Sequence, residues 1–183
     1  MKFFDEYFNL LGQSINGLDQ EQLVLAANKL KEVSDNGNKV IVAGNGGSAA
    51  MASHVTVDLT KAAGVRTINF NEADLLTCFA NDYGYEHVFD KAVEFYGDSG
   101  DILILISSSG QSENVVNAAK IAKKLGIEVI TLSGFNSDNP LRQLGDINLW
   151  VDSKAYNIVE MTHHVWLLSI ADYIIGNIYY SAS

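Results

Sequence analysis

The chain has 183 residues, of which 48% are hydrophobic and 19% are charged, with a formal net charge of −10. These values suit one globular domain, residues 1–183, with one sizeable core. An acidic domain repels the phosphates of nucleic acids and of anionic membranes, so neither is an expected partner. The single cysteine, Cys78, excludes a disulfide within the chain, which predicts a cytoplasmic protein.

Helices and strands alternate in the predicted order of elements. Apolar spacing first predicts two helices, over 3–15 and 19–35. The predicted strands are 40–43, 66–70, 101–106, 128–132 and 147–151, and the later helices are 49–61, 73–80, 86–96, 112–125 and 157–180, with a short helix near Pro140. This alternation predicts an α/β fold, in which a parallel sheet is covered by helices on both faces.

A glycine-rich loop, Gly44-Asn45-Gly46-Gly47-Ser48, follows the first predicted strand. Glycine lets backbone N–H groups approach a ligand closely, and Ser48 opens a helix whose N-terminus favours an anion. A dinucleotide site is the rival interpretation, since Ala49 is a tolerated variant of the third fingerprint glycine. The next strand, however, ends in Asn69-Phe70-Asn71 without an acid, and no Gly-Lys-Ser/Thr sequence follows the loop. No nucleotide cofactor is therefore expected.

A second loop, rich in serine, follows the strand predicted over 101–106. Its hydroxyls belong to Ser107, Ser108, Ser109 and Ser112. In a parallel sheet both loops lie at the carboxyl edge, where ligands bind. Serine and glycine in such loops can also serve only as turn and cap residues. Two such loops favour a ligand site, and their neutral donors would let an acidic protein bind a phosphorylated small molecule.

In these loops the chain resembles the sugar isomerase (SIS) domain family and, within it, the phosphoheptose isomerases. Further similar blocks are Ala80-Asn81-Asp82-Tyr83-Gly84 and Gly100-Asp101-Ile102-Leu103. The resemblance covers nearly the whole chain and implies a five-stranded parallel sheet in a three-layer α/β/α sandwich. It also implies a homotetramer with sites at subunit interfaces, and we expect the helices within 1–36 and 157–180 to form those interfaces.

The activity implied by the resemblance is isomerisation of sedoheptulose 7-phosphate, a ketoheptose phosphate, to a heptose 7-phosphate for bacterial surface polysaccharide. Phosphate binding would map to the four serines of the second loop. Sugar contacts would map to Asn45, Ser48 and Asp82, with Gly46 and Gly47 completing the binding set.

The chain departs from the family on the helix after the glycine loop. The family carries a histidine and, four residues later, a glutamate that acts as base and can bind zinc; here the pair is His54 and Asp58. Residues at this spacing share one helix face. Asp58 is thus a candidate base, and both residues are candidate ligands of Zn²⁺. The alternative is a surface His–Asp contact. Tyr156 stands where the family has an acid that contacts the sugar.

The last helix departs as well. The family has Gln-Glu near its start and a catalytic histidine eight residues after the Gln. Alignment on Glu160 puts Val159 and Leu167 at those two positions. Positions 159, 163 and 167 lie on nearly one face of a helix, so we hypothesise that His163 replaces the family's histidine. His164, pointing about 100° away, is the alternative, and a third possibility is that neither histidine is catalytic.

Two classes of function stay open from the sequence. The first is a phosphosugar isomerase with altered catalytic residues, and the second is a non-catalytic module that binds a phosphosugar or bridges other proteins. For either class we expect a homo-oligomer, because aromatic residues crowd both ends of the chain beyond what so small a domain easily buries. These residues are Phe3, Phe4, Tyr7, Phe8, Trp166, Tyr173, Tyr179 and Tyr180.

Overall fold

The computed structural model describes residues 2–180, in which helices flank one sheet on both faces. The helices are α1 (Lys2–Ile15), α2 (Gln20–Asp35), α3 (Gly47–Lys61), α4 (Ala73–Tyr83), α5 (Val88–Tyr96), α6 (Glu113–Leu125) and α7 (Tyr156–Ile175). The strands are β1 (Val40–Gly44), β2 (Thr67–Asn69), β3 (Ile102–Ser107), β4 (Glu128–Ser133) and β5 (Ile147–Trp150), and two 3₁₀ turns cover Tyr85–His87 and Arg142–Leu144. The predicted α/β fold with a five-stranded parallel sheet is confirmed.

The strand order decides where a ligand can bind. The sheet runs β2-β1-β3-β4-β5 and every neighbouring pair is parallel. The chain leaves β1 toward β2 on one side and later returns to β3 on the other side. Such a reversal opens a crevice at the carboxyl ends of the two strands. Gly44 at the end of β1 pairs with Ile106 near the end of β3, so the glycine and serine loops leave the sheet side by side.

Alternation along the strands divides the core between two faces. Val40 and Val42 point into a cluster with the buried sides of α2, α3 and α7. Ile41 and Ala43 point to the opposite face, against α5 and α6. Successive side chains of a strand point to opposite sides, so the fully buried β1 and β3 supply both clusters. The two predicted ligand loops therefore follow the two fully buried strands of the sheet.

The last helix, α7, is shorter than the sequence predicted. It ends at Ile175 because Gly176 adopts a left-handed conformation (φ +81°) and its N–H bonds to the carbonyls of Asp172 and Tyr173. Although α7 has 20 residues, no helix within residues 2–180 is both long and apolar enough to span a membrane.

The first helix, α1, packs on the outside of the fold and has no buried residue. Phe3, Phe4 and Phe8 are 69%, 61% and 63% exposed. A hydrogen bond of 3.0 Å from Trp166 Nε1 to the carbonyl of Ile15 fastens the end of α1 to α7. The helix thus presents an aromatic face outward, which is the kind of surface that oligomer interfaces cover.

Candidate active site

A cavity of about 160 Å³ lies at the carboxyl ends of β1 and β3. Its lining includes residues of both predicted ligand loops and two residues of α7, namely Asn45, Ser48, Ile106, Ser107, Ser108, Ser109, Ser112, Tyr156 and Glu160. The structure thus brings together the four predicted serines with Asn45 and Ser48. None of these described lining residues carries a positive charge, so an anion here would be bound by hydroxyls, amides and helix N-termini.

The serine loop supplies most of the polar surface of the cavity. Ser107 and Ser108 are buried side chains at the end of β3, and Ser107 Oγ donates to Ser112 Oγ at 3.2 Å. Ser112 precedes α6, yet its side chain makes no capping hydrogen bond to that helix. The first N–H groups of a helix lack partners within the helix and attract anions. Hydroxyls and the start of α6 therefore face the same small volume.

A buried asparagine fixes the path of the serine loop. Gly110 has φ +65°, and a Cβ there would overlap the side chain of Asn139. The Asn139 amide donates to Ser133 Oγ at 3.1 Å and accepts from the N–H of Arg142 at 2.9 Å. The N–H of Leu141 in turn donates to the carbonyl of Gly110. The serine hydroxyls are thus held in place before any ligand binds.

The glycine loop is covered by a side chain that the sequence did not assign to the site. A Cβ on Gly47 would lie 2.5 Å from Glu160 Oε2, so the Glu160 carboxylate packs directly on the backbone at the start of α3. A negative charge is stabilised at a helix N-terminus. The Glu160 carboxylate therefore occupies the place at the start of α3 where the glycine loop would otherwise bind an anion. The available signal was weak: Glu160 and Asp172 are the only acids of α7, and nothing in the sequence marks which of them faces the site.

Asn45 connects the two loops. Its Nδ2 donates to Asn114 Oδ1 at 2.9 Å, and its Oδ1 accepts from Asn114 Nδ2 at 3.0 Å. The hydroxyl of Tyr85 also donates to Asn45 Oδ1, at 2.8 Å. Asn114 is buried in the first turn of α6, so this amide pair ties the start of α6 to the end of β1. Sequence reasoning missed Asn114 and Tyr85, since their partner lies 40 or more positions away.

The face of α7 predicted to carry the catalytic histidine points into the core. Val159, His163 and Leu167 are 0%, 0% and 1% exposed. His163 Nε2 donates to the carbonyl of Ser133 at 3.0 Å, and burial lowers the pKa of His163 to about 4. His163 is thus a neutral core residue that no substrate reaches in this structure. The helix turns the predicted catalytic histidine toward the sheet and away from the cavity of the same chain.

The alternative histidine, His164, faces α3 instead. Its Nε2 lies 2.9 Å from His54 Nδ1, and His54 Nε2 lies 3.4 Å from Asp58 Oδ2. Burial, followed by the neighbouring charge of His54, lowers the pKa of His164. The structure therefore joins His164 to the two residues predicted on α3. None of the three lines the cavity: the helical rise puts His54 about 10 Å and Asp58 about 16 Å along α3 from Gly47.

This row of side chains does not have the arrangement of a zinc site. Zinc requires three or four donors that converge on one point. His54 instead stands between His164 and Asp58, and each of its ring nitrogens faces one of them. Across residues 2–180, no group of three or more His, Cys, Asp or Glu side chains is placed to hold a metal ion. The residues of one chain thus do not fit the predicted Zn²⁺.

Asp82 lies outside the cavity. It is exposed near the end of α4, where its carboxylate accepts from Cys78 Sγ at 3.5 Å and from Asn81 Nδ2 at 2.9 Å. The hydrogen bond to Asp82 and its negative charge raise the pKa of the Cys78 thiol. Within one chain the predicted sugar contact of Asp82 is therefore not made.

Comparison with known proteins places this site in a family. A model of the SIS domain matches residues 2–134. A phosphoheptose isomerase of Aliarcobacter butzleri is 41% identical over 150 residues, which is 79% of each chain. One from Campylobacter concisus is 36% identical over 177 residues, covering 92% of this chain and 87% of the relative.

Solved structures agree with the sequence relatives. The phosphoheptose isomerase of Neisseria gonorrhoeae superimposes with a TM-score of 0.87 at 31% identity, over 94% of this chain and 96% of that one. The phosphoheptose isomerase of Francisella tularensis gives the same TM-score at 30% identity. The chain therefore belongs to the SIS domain family, in the group of the phosphoheptose isomerases.

Proposed function

We propose that this chain is a phosphosugar isomerase that converts sedoheptulose 7-phosphate to a heptose 7-phosphate. The observation that carries the proposal is the serine loop, where four hydroxyls and the start of α6 surround one cavity at the reversal point of the sheet. Relatives named phosphoheptose isomerase match most of the chain, which supports the same chemistry. The reaction would serve surface polysaccharide synthesis in the bacterial cytoplasm.

The cavity offers different groups to the two ends of such a substrate. The phosphate would accept hydrogen bonds from Ser108, Ser109 and Ser112 and from the first N–H groups of α6. The sugar hydroxyls would meet Asn45 and Ser48, whose positions the Asn45–Asn114 amide pair fixes. Aldose–ketose isomerisation then needs a base at the carbon and an acid at the oxygens. Asp58 and His164, which the structure joins through His54 outside the cavity of one chain, are the candidates for these two roles.

Assembly into a homotetramer is part of the proposal. The exposed aromatic residues of α1 are one apolar surface, and a second is a groove of about 380 Å³ between the end of α1, α2 and α7, lined in part by Leu23, Val165 and Tyr173. Burial of these surfaces between copies would remove several exposed aromatic rings from water. Light scattering at micromolar concentration checks it: a tetrameric mass is expected, and a monomer would contradict the assembly.

The function is tested by incubating the full chain with a panel of ketose phosphates in deuterium oxide. An isomerase exchanges the carbon-bound hydrogen at C1 or C2 with solvent because the reaction passes through an enediol, even where net turnover is slow. Mass spectrometry or NMR reports the incorporation. Binding of the sugar phosphates without any exchange would instead identify a non-catalytic phosphosugar-binding module.

A further inference from the structure

We propose that Tyr85 is a positioning residue of the site, which orients the amide of Asn45 so that it can only donate a hydrogen bond to the sugar. The inference rests on the proposed function, because it concerns how the sugar of a phosphosugar is recognised. Among the described residues, the lining of the cavity includes Asn45 but not Tyr85. An effect of Tyr85 on a ligand must therefore pass through Asn45.

One backbone group fixes the orientation of both amides in this network. The N–H of Val115 lies 3.0 Å from Asn114 Oδ1, and an N–H group can only donate. This atom of Asn114 is therefore the oxygen, and the Asn45 atom at 2.9 Å from it must be the donating nitrogen, Nδ2. Asn45 Oδ1 then accepts from Asn114 Nδ2 at 3.0 Å and from the Tyr85 hydroxyl at 2.8 Å.

The hydrogen bonds of Asn45 leave one kind of group for a ligand. An amide oxygen accepts two hydrogen bonds, and an amide nitrogen donates two. Both acceptor positions of Asn45 Oδ1 are filled, one by Asn114 and one by Tyr85. Only the second N–H of Asn45 Nδ2 remains, so the ligand must bring an acceptor to it. The carbonyl and hydroxyl oxygens of a sugar meet this requirement.

The turn that carries Tyr85 is fastened to the helix that carries Asn114. Tyr85 begins the 3₁₀ turn after Gly84, which has φ +89°. Asn117 Nδ2 donates to the carbonyl of Glu86 at 3.1 Å and links this turn to α6. The Tyr85 side chain is itself 57% exposed. Removal of its hydroxyl therefore leaves the packing of the core unchanged.

A positioning role and a merely structural role have different consequences for binding. Without the Tyr85 hydroxyl, one acceptor position of Asn45 Oδ1 opens and Asn114 alone orients the amide. The contact with the sugar should then weaken, while the serine loop keeps its hydroxyls for the phosphate. General damage to the fold would instead weaken the binding of phosphate and of sugar phosphate alike.

The test compares Tyr85→Phe with the unaltered protein by isothermal titration with sedoheptulose 7-phosphate and, separately, with inorganic phosphate. We expect the sugar phosphate to bind about three- to tenfold more weakly, the scale of one neutral hydrogen bond, while phosphate affinity stays within about twofold. Tyr96→Phe is the matched control, because Tyr96 is also exposed and its hydroxyl has no hydrogen-bond partner among residues 2–180. Both affinities should be unchanged in this variant.

A second comparison tests the route through Asn45. In an Asn45→Ala background, Tyr85→Phe should weaken sugar-phosphate binding no further, because the partner of the hydroxyl is already gone. An equal loss in both backgrounds would overturn positioning through Asn45. Unchanged sugar-phosphate affinity in Tyr85→Phe, or an equal loss for phosphate and sugar phosphate, would overturn it as well.

These outcomes separate the inference from the proposed function, because binding does not require turnover. The expected loss in Tyr85→Phe, together with no deuterium exchange by the unaltered protein, would support the inference and overturn the isomerase function. Deuterium exchange by the unaltered protein with no effect of Tyr85→Phe on sugar-phosphate affinity would do the reverse. No binding of any ketose phosphate by the unaltered protein would overturn both.

Discussion

The glycine loop and the serine loop leave the sheet side by side and share one pattern of apolar strand, small-residue loop and helix. They end in different states. Glu160 covers the start of α3 after the glycine loop, whereas the serine loop keeps its hydroxyls turned to the cavity before α6. A phosphate would meet a negative charge at the first loop and only neutral donors at the second. An anion motif in sequence thus offers a site only where no other element of the chain already covers it.

The largest expected effect comes from a substitution that disrupts the serine loop. Gly110→Ala places a Cβ into the fully bonded Asn139 amide at φ +65°, so we expect a loss of about 3 kcal/mol or more in the free energy of unfolding. Phosphate affinity should fall with it. Gly176→Ala is the matched control, since Gly176 also has a positive φ, in the left-handed helical region, but no atom within 4 Å of an added Cβ, and should cost about 1–2 kcal/mol. Denaturant unfolding of both variants measures the difference. Equal losses would contradict the conclusion that Asn139 fixes the path of the serine loop.

The next effect tests the anchor that holds Glu160 over the glycine loop. His163 fixes α7 to the end of β4, and its folded pKa of about 4 lies below the ordinary value of 6.5. The unfolded chain therefore binds a proton between these values that the folded chain does not. The free energy of unfolding should be fully retained above pH 6.5 and fall by about 3 kcal/mol as the pH drops to about 4.

Urea titrations across this pH range measure the effect, and His163→Gln should flatten the slope. His87 provides a control of opposite sign, because its hydrogen bond to Asp90 raises its pKa and the associated stability is lost as pH rises. If the free energy of unfolding of His163→Gln depends on pH as it does in the unaltered protein, another group causes the loss of stability at low pH.

A smaller effect probes the contact between α7 and the glycine loop. Gly47→Ala would push the Glu160 carboxylate from the start of α3 and should cost about 1–2 kcal/mol of unfolding free energy. The double variant with Glu160→Ala should lose less than the sum of the two single variants, because the collision is gone. Additive losses would show that the carboxylate does not cover this loop.

The smallest expected effects concern single hydroxyls of the serine loop. Ser108→Ala and Ser109→Ala should each weaken binding of a sugar phosphate by about 1–2 kcal/mol, the scale of one hydrogen bond to a charged group. Isothermal titration of both variants checks this. Unchanged affinity in both variants would contradict the proposal that the serine loop binds the phosphate.

The sequence predicted the sheet and both loops because their signals are local. The buried run Ile102–Ser107 and the glycines of Gly44–Ser48 specify strand and turn without help from distant residues. The end of α7 was overestimated at residue 180, because apolar and aromatic residues continue beyond Gly176, whose left-handed conformation ends the helix. The sequence alone does not show whether a glycine within an apolar run will end the helix.

The orientation of α7 could not be predicted from the sequence. Apolar residues surround this helix on all sides, so no polar stripe marks the face that turns outward. The choice between His163 and His164 depended on that face, and only packing against β4 and α3 decides it. The contact of Glu160 with Gly47 joins residues 113 positions apart and leaves no local pattern.

The central claim is that the serine loop, and not the glycine loop, binds the phosphate of the sugar. A crystal structure of the protein with sedoheptulose 7-phosphate tests it most directly. We expect the phosphate oxygens within hydrogen-bond distance of Ser108, Ser109 and Ser112. A phosphate seated on Gly46 and Gly47, with the Glu160 carboxylate displaced, would contradict it.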